Sequence, residues 1–224
     1  MLLLGHRGAR RYALENTLAA FDLALEHGAD GFEFDVRRTS NRQTIICHDP
    51  RLNRLSVRKH TFKQLEASCK LPERLPPGLE DVLRRYARIA FLNIEIKVRG
   101  IEPLIIRTLK RVPPRRGYFI SSFFPGVLRE LHKLNASLVL GTLAHTRWQL
   151  RRWSKLPVQY VVPNYKLLSR TLVEEIHAVN KLVVTWTVNE KKQMLRAAEL
   201  GVDGIISDDT QLLRKTFGVH TGTL

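Results

Sequence analysis

Charged residues set inside apolar runs are where this sequence can do chemistry. In residues 31–36, Phe32, Phe34 and Val36 alternate with Glu33 and Asp35. Side chains of a strand point to alternate faces, so the two carboxylates share one. Residues 89–98 repeat the device, with Ile94, Ile96 and Val98 on one face and Asn93, Glu95 and Lys97 on the other. Three carboxylates brought together, Glu33, Asp35 and Glu95, offer only oxygen ligands, which suits a hard divalent cation such as Mg²⁺ or Ca²⁺ better than zinc. Lys97 either balances that charge, holds an anionic group or simply pairs with Glu95. Two histidines end apolar runs: His6 in Leu4-Gly5-His6-Arg7-Gly8 and His48 in Ile45-Ile46-Cys47-His48-Asp49. Imidazoles titrate near neutrality, so one can act as general base and the other as general acid. Asp49 either orients a histidine or is a turn residue before Pro50. The planar guanidinium of Arg7 suits a phosphate oxygen. His27, His60, His132, His145, His177 and His220 fall on helix or loop positions and read as structural or surface residues.

The elements that must position these groups alternate in type. Apolar runs predict strands at residues 1–4, 31–36, 44–47, 89–98, 118–121, 138–143, 159–162, 182–188 and 203–206. Amphipathic stretches predict helices at 16–27, 79–86, 101–111, 126–134, 146–154, 169–180, 190–200 and 208–217. Asn16 is a capping residue for the first helix and Gly28 its terminator; Ser169 or Thr171 caps a later one. Strands separated by helices imply parallel βαβ units. With 44–47 counted as an addition beside the second strand, there are eight such steps. That predicts an α/β protein, a (β/α)₈ TIM-like barrel with a short insertion after the second strand, in one domain over residues 1–224. An open doubly wound sheet is the rival, but no Gly-x-Gly-x-x-Gly follows a strand. Residues 49–78, with Pro72, Pro76 and Pro77, lack clear periodicity and read as an insertion or long loop over one face. Both faces of a parallel barrel strand are covered. Buried charges are costly unless paired or metal-bound. The carboxylates therefore belong at strand C-terminal ends, where such barrels carry their sites.

These residues, in this order, resemble the glycerophosphodiester phosphodiesterase family. That family opens with His-Arg-Gly, five residues, then Pro-Glu-Asn-Thr; here His6-Arg7-Gly8 precedes Leu14-Glu15-Asn16-Thr17 by the same spacing, with Ala20-Phe21 beyond. Its Glu-x-Asp-Val, His-Asp and Glu-x-Lys elements look like Glu33-Phe34-Asp35-Val36, His48-Asp49 and Glu95-Ile96-Lys97. Its late Trp-Thr-Val-Asn strand and Gly-Val-Asp-Gly-Ile ending are similar to residues 186–189 and 201–208. The resemblance implies hydrolysis of glycerophosphodiesters to glycerol 3-phosphate and an alcohol. It also implies a divalent metal on Glu33, Asp35 and Glu95, and His6 and His48 as the acid/base pair. Arg7 and Lys97 would bind phosphate, Glu15 would position substrate, and Trp186 would either stack on a substrate group or pack the barrel. The attacking group is either water or the glycerol 2-hydroxyl. Leu14 departs from the family's proline, a change expected to loosen the approach to the first helix only modestly.

Composition narrows the alternatives. The chain has 224 residues, 44% hydrophobic and 26% charged, which excludes a mainly disordered chain. Cys47 and Cys69 are the only cysteines and form no CxxC pair, so neither a disulfide framework nor a cysteine zinc site is expected. No apolar run approaches the roughly 20 residues of a membrane span. Residues 1–4 run straight into Gly5-His6-Arg7, so no signal peptide is expected and the cytoplasm is the expected location. The net charge is +16, from 37 Lys and Arg against 21 Asp and Glu. It clusters at residues 10–11, 37–38, 51–59, 84–88, 107–116 and 147–155. Such charge attracts anions at long range. The clusters at 10–11 and 51–59 are expected to steer substrate. Peripheral contact with an anionic membrane would fit a lysophospholipid substrate, the runner-up reading. A nucleic-acid or anionic-surface binding module is the third, without a matching nucleic-acid motif to support it.

Overall fold

Short apolar runs become strands and the amphipathic stretches between them become helices in a computed structural model that describes residues 1–71 and 75–218. Pro72 and His220 lie outside the described residues. The first half contains β1 (Leu2–His6), α1 (Leu18–Glu26), β2 (Gly31–Arg38), β3 (Thr44–Ile46), β4 (Arg51–Leu52), β5 (Leu55–Ser56), α2 (Phe62–Ser68), α3 (Leu79–Tyr86), β6 (Phe91–Ile96) and α4 (Glu102–Arg111). The second half contains β7 (Tyr118–Ser122), α5 (Pro125–Leu134), β8 (Leu140–Ala144), α6 (Arg147–Leu150), β9 (Tyr160–Pro163), α7 (Arg170–His177), β10 (Leu182–Thr185), α8 (Lys191–Glu199), β11 (Gly204–Ser207) and α9 (Thr210–Phe217). Strand β1 bonds to both β11 and β2, closing β1, β2 and β6–β11 into an eight-stranded parallel barrel. Strand β3 is the added one, antiparallel to the end of β2. The doubly wound alternative is excluded by this closure.

The alternation of β2 sorts its side chains. Phe32, Phe34 and Val36 are fully buried outside the barrel, under α1 and α3. Phe21 of α1 stacks on Phe32 with ring centroids 4.2 Å apart, and Tyr86 of α3 meets Phe32 edge-on at 5.0 Å. Inside, Leu4, Phe119, Tyr160, Val184 and Ile206 make one apolar cluster. The opposite end of the interior is polar, and parallel register puts His6 beside Glu33 and Asp35 beside Glu95 there.

Several sequence expectations are corrected. Thr17 caps α1, its hydroxyl accepting from Ala20 N–H, while Asn16 turns away to serve the barrel interior. The insertion at 49–78 is not one open loop: the β4–β5 hairpin, a 3-10 turn at Val57–Lys59 and α2 occupy residues 51–68 of it. Strands of two residues and a seven-residue helix with one buried side chain, Leu65, are too short to show a period. The helix expected at 146–154 stops at Leu150, its one buried residue, and only a 3-10 turn follows at Trp153–Lys155. The strand expected from residue 89 starts at Phe91, because Ile89 sits in the exposed turn before it. The cap of α7 is Ser169, not Thr171.

Gly8 sets the turn that brings β1 back onto α1. Its φ is +82°, and a Cβ there would lie 2.6 Å from the backbone of Ala20. Gly8→Ala is expected to destabilise the protein by ~2 kcal/mol or more, through both strain and overlap. Gly100 shares the positive φ but has open space around it. Thermal unfolding should therefore show a larger loss for Gly8→Ala than for Gly100→Ala; equal losses would mean that the close approach carries no weight.

Candidate active site

The site is built on the C-terminal ends of β1, β2 and β6. Just beyond β1, Arg7 takes φ +54°, a left-handed conformation unusual for a side-chain-bearing residue. That turn aims the Arg7 N–H at Glu33 Oε2, 3.0 Å away. The Arg7 guanidinium reaches Glu15 at 2.8 Å and Asp35 Oδ2 at 3.2 Å. Asn16, also left-handed at φ +60°, donates from Nδ2 to Asp35 Oδ2 at 2.9 Å. Lys97 closes the other side, with Nζ 2.7 Å from Glu95 and 3.4 Å from Asp35.

Glu33, Asp35 and Glu95 are buried, and one oxygen from each lies within 4.8 Å of the others. Glu33 Oε1 and Asp35 Oδ1 are buried without a hydrogen-bond partner. Buried acceptors left unpaired are costly, and a cation between them would satisfy both. Three carboxylates against Arg7 and Lys97 leave one excess negative charge. The oxygen-only donor set therefore fits a divalent metal.

Electrostatics express the same crowding. Burial, then Asp35 and Glu95, push the Glu33 carboxyl well above the usual range. Burial and the nearby Asp35 raise Glu95 to about 7, against the opposing pull of Lys97. Burial also works against Asp35, but Lys97, Arg7 and the Asn16 hydrogen bond outweigh it and hold its carboxyl below the usual range. A bound cation would favour the ionised form of all three.

His6 is buried, with Nε2 3.9 Å from Glu33 Oε2 and Nδ1 2.6 Å from Asp208 Oδ1. Asp208 is held in turn by Asn189 Nδ2 at 2.7 Å. Its carboxyl lies below the usual range: burial opposes its charge, and the His6 hydrogen bond, Asn189 and Arg10 prevail. Asp208, Asn189 and Asn16 are site residues that sequence reasoning missed. The Asp that ends the 201–208 motif was the available signal for the first. His48 follows β3; its Nδ1 is 2.8 Å from Asp49 Oδ1 and its backbone carbonyl accepts from Arg37 Nε at 2.8 Å. With Glu15, Leu14 and Arg51 it lines a cleft of about 160 Å³. Burial lowers the His48 imidazole below its ordinary value.

Trp186 stands apart from the charged network. Its Nε1 donates to Val162 O at 2.9 Å, and its ring meets Phe123 edge-on at 5.5 Å. Phe123 in turn lies 5.8 Å from Lys97 Nζ. Arg10 and Arg11, expected to steer substrate, are already engaged: Arg10 with Glu15 at 2.6 Å and Arg11 with Asp209 at 3.3 Å.

Comparison with known proteins agrees with this geometry. A family model described as the glycerophosphoryl diester phosphodiesterase family matches residues 6–212. A glycerophosphodiester phosphodiesterase of Caldanaerobacter subterraneus subsp. tengcongensis is 32% identical, over 95% of this chain and 96% of its own. The crystal structure of a glycerophosphodiester phosphodiesterase from Thermotoga maritima matches with a TM-score of 0.82 at 26% identity, over 96% of this chain and 97% of that one. A phosphodiesterase of Oleispira antarctica in complex with the product sn-glycerol-3-phosphate matches at 0.84 with 24% identity, over 97% and 96%.

Proposed function

This chain belongs to the glycerophosphoryl diester phosphodiesterase family and is a hydrolase of that type, and from that premise we propose that it cleaves glycerophosphodiesters to sn-glycerol 3-phosphate and an alcohol. Residues 1–224 act as one catalytic domain. The observation that carries this reading is the buried Glu33, Asp35 and Glu95 triad, in which Glu33 Oε1 and Asp35 Oδ1 accept no hydrogen bond, flanked by Arg7 and Lys97. The product bound to the Oleispira antarctica phosphodiesterase supports the glycerol 3-phosphate half.

Glu33, Asp35 and Glu95 would hold the divalent cation, Mg²⁺ or Ca²⁺. When bound, that cation supplies Lewis-acid stabilisation of charge building on the phosphoryl oxygens. Arg7 and Lys97 bind the phosphodiester anion from either side. Glu15 fixes the Arg7 guanidinium and positions substrate. His48, left unprotonated at neutral pH by its partial burial, takes the proton of the attacking group, either water or the glycerol 2-hydroxyl. In the second case a water then opens the cyclic phosphate to glycerol 3-phosphate. His6 donates from Nε2 to the departing alkoxide while its Nδ1–H stays bonded to Asp208. Trp186 and Phe123 border the far side of the mouth and limit substrate there.

Asp208 acts through His6, as a positioning residue. Asp208→Asn offers Nδ1 an amide that can donate as well as accept, so the tautomer is no longer fixed. Turnover is expected to fall on the order of 10- to 100-fold with KM little changed. A KM defect with normal kcat would assign Asp208 to substrate binding instead.

The reading is tested by glycerol 3-phosphate release from glycerophosphocholine and glycerophosphoethanolamine in EDTA, Mg²⁺ or Ca²⁺. Metal-dependent release supports it; no release from folded, metal-loaded protein overturns the substrate. Lysophospholipids are the second reading, favoured by the exposed Leu14 beside the cleft at His48. They belong in the same panel.

A further inference from the structure

Residues 131–173 contain seven Lys or Arg and no Asp or Glu. This stretch builds β8, α6 and β9, and α6 with the loop at 164–169 stands at the C-terminal end of the barrel, the end that carries the site. Within it, residues 147–155 interleave Trp148 and Trp153 with Arg147, Arg151, Arg152 and Lys155. Trp148 is 63% exposed, although it is a large apolar side chain. The Arg152 guanidinium lies 3.4 Å from the centre of its ring. Beside it runs a groove of about 510 Å³ whose apolar wall includes Leu150, Trp153, Leu167 and Leu168. Arg147, Arg151 and Lys166 outnumber the one acidic residue of its lining, Glu175. Among the described residues, no ion pair engages Arg147, Arg151, Arg152, Lys155 or Lys166, whereas Arg10 and Arg11 on the same rim are both paired.

We propose that this rim docks the protein on the surface of an anionic phospholipid bilayer. Charge complementarity selects the partner: unpaired cations beside an exposed indole match a surface of anionic headgroups over an apolar interior. Trp148 is the inserting side chain, since an indole settles at the headgroup level with its apolar ring inward. Single-stranded nucleic acid would need open aromatic faces for stacking. Here Arg152 covers one face of Trp148, and Trp153 is half-buried in the groove wall. Docking turns the catalytic mouth toward the lipid. The rim connects to the site through His145 on Trp186 (5.8 Å), Trp186 on Phe123 (5.5 Å) and Lys97 over Phe123 (5.8 Å). The docking itself does not rest on the catalytic reading, so its test is binding rather than turnover.

The experiment is cosedimentation of the full chain with vesicles of phosphatidylcholine alone, or with phosphatidylglycerol as about a third of the lipid. Binding is expected to the anionic vesicles only, and to weaken as salt rises to about 0.5 M. Replacing Arg147, Arg151 and Arg152 together by Gln should weaken partitioning on the order of 100-fold. Trp148→Ala should weaken it roughly tenfold. The control removes the same charge from the other end of the barrel, with Arg88, Arg115 and Arg116, all exposed and preceding β6 and β7, replaced by Gln. Unchanged melting curves show that the variants fold. Equal losses from the two triple variants would mean that net charge alone attracts the bilayer, and would overturn the proposal. Failure to bind anionic vesicles, or equal binding to neutral ones, would overturn it too. So would tighter binding to a single-stranded RNA oligonucleotide, lost in the same rim variants.

Discussion

Glu95→Gln is expected to reduce metal-dependent turnover on the order of 10³-fold or more while leaving the fold intact, because the charge stabilisation such a cation supplies is several kcal/mol. The amide keeps the volume of the side chain and an oxygen for Lys97. Lys97 also keeps Asp35 at 3.4 Å as a counter-charge. What disappears is one anionic ligand. Saturating metal should raise the melting temperature of the wild type, by the equivalent of ~2.7 kcal/mol at a hundred times Kd. It should leave the variant's melting temperature nearly unmoved. A normal thermal shift in Glu95→Gln would remove Glu95 from the ligand set.

The same substitution carries a pH signature in EDTA. Glu95 sits at about 7 in the folded chain, against an ordinary 4.5. Between those values the folded state holds a proton that the unfolded state has released, so the metal-free protein loses stability as pH rises through that window. Above about pH 7 this contribution levels off. A gap of that size corresponds to ~3 kcal/mol. Glu33 is raised in the same direction and adds the same sign. Glu95→Gln removes its share, so the metal-free variant should melt higher than the wild type near pH 8 and similarly near pH 4.5. A divalent cation competes with those protons, and its affinity should rise across the window. A metal-free Glu95→Gln that gains nothing over the wild type between pH 5 and pH 8 would contradict the buried, mutually repelling triad.

His6→Ala is the second large effect: a fall in kcat of ~10²–10⁴-fold, the range of general acid–base catalysis. Unlike Glu95→Gln, it should retain the metal-induced thermal shift, since the three carboxylates remain. His48→Ala should match it in size. The double variant should lose little beyond the worse single one, as residues that act as a unit do. Because burial lowers His48, the acid limb of kcat/KM should lie below the ordinary imidazole range. Multiplicative losses in the double variant would show that the two histidines act independently.

Local chemistry determined a good part of this protein. The alternation of Glu33 and Asp35 with Phe32, Phe34 and Val36 holds at any strand position, because a strand has period two wherever it lies. It assigned the carboxylates to one face before any partner was known. The alternation of strands with helices implied parallel crossovers, and eight of them pointed to a closed barrel, with the open doubly wound sheet excluded only by the β1–β11 and β1–β2 pairings. Only the tertiary structure decided which atoms meet. His6 and Asp208 are 202 positions apart and touch because β1 lies beside β11 in the closed barrel. Asn16 carries the residue type of a helix cap, but a left-handed turn hands the cap to Thr17 and sends the amide to Asp35. Arg10 and Arg11 read as a free basic pair until the fold brings Glu15, Asp208 and Asp209 against them. The unpaired cations beside Trp148 stand out only once those pairs are known. Periodicity and capping depend on neighbours a few residues away, and sequence carries them directly. Ion pairing, tautomers and shifted pKa values depend on register and barrel closure, which many weak contacts settle together.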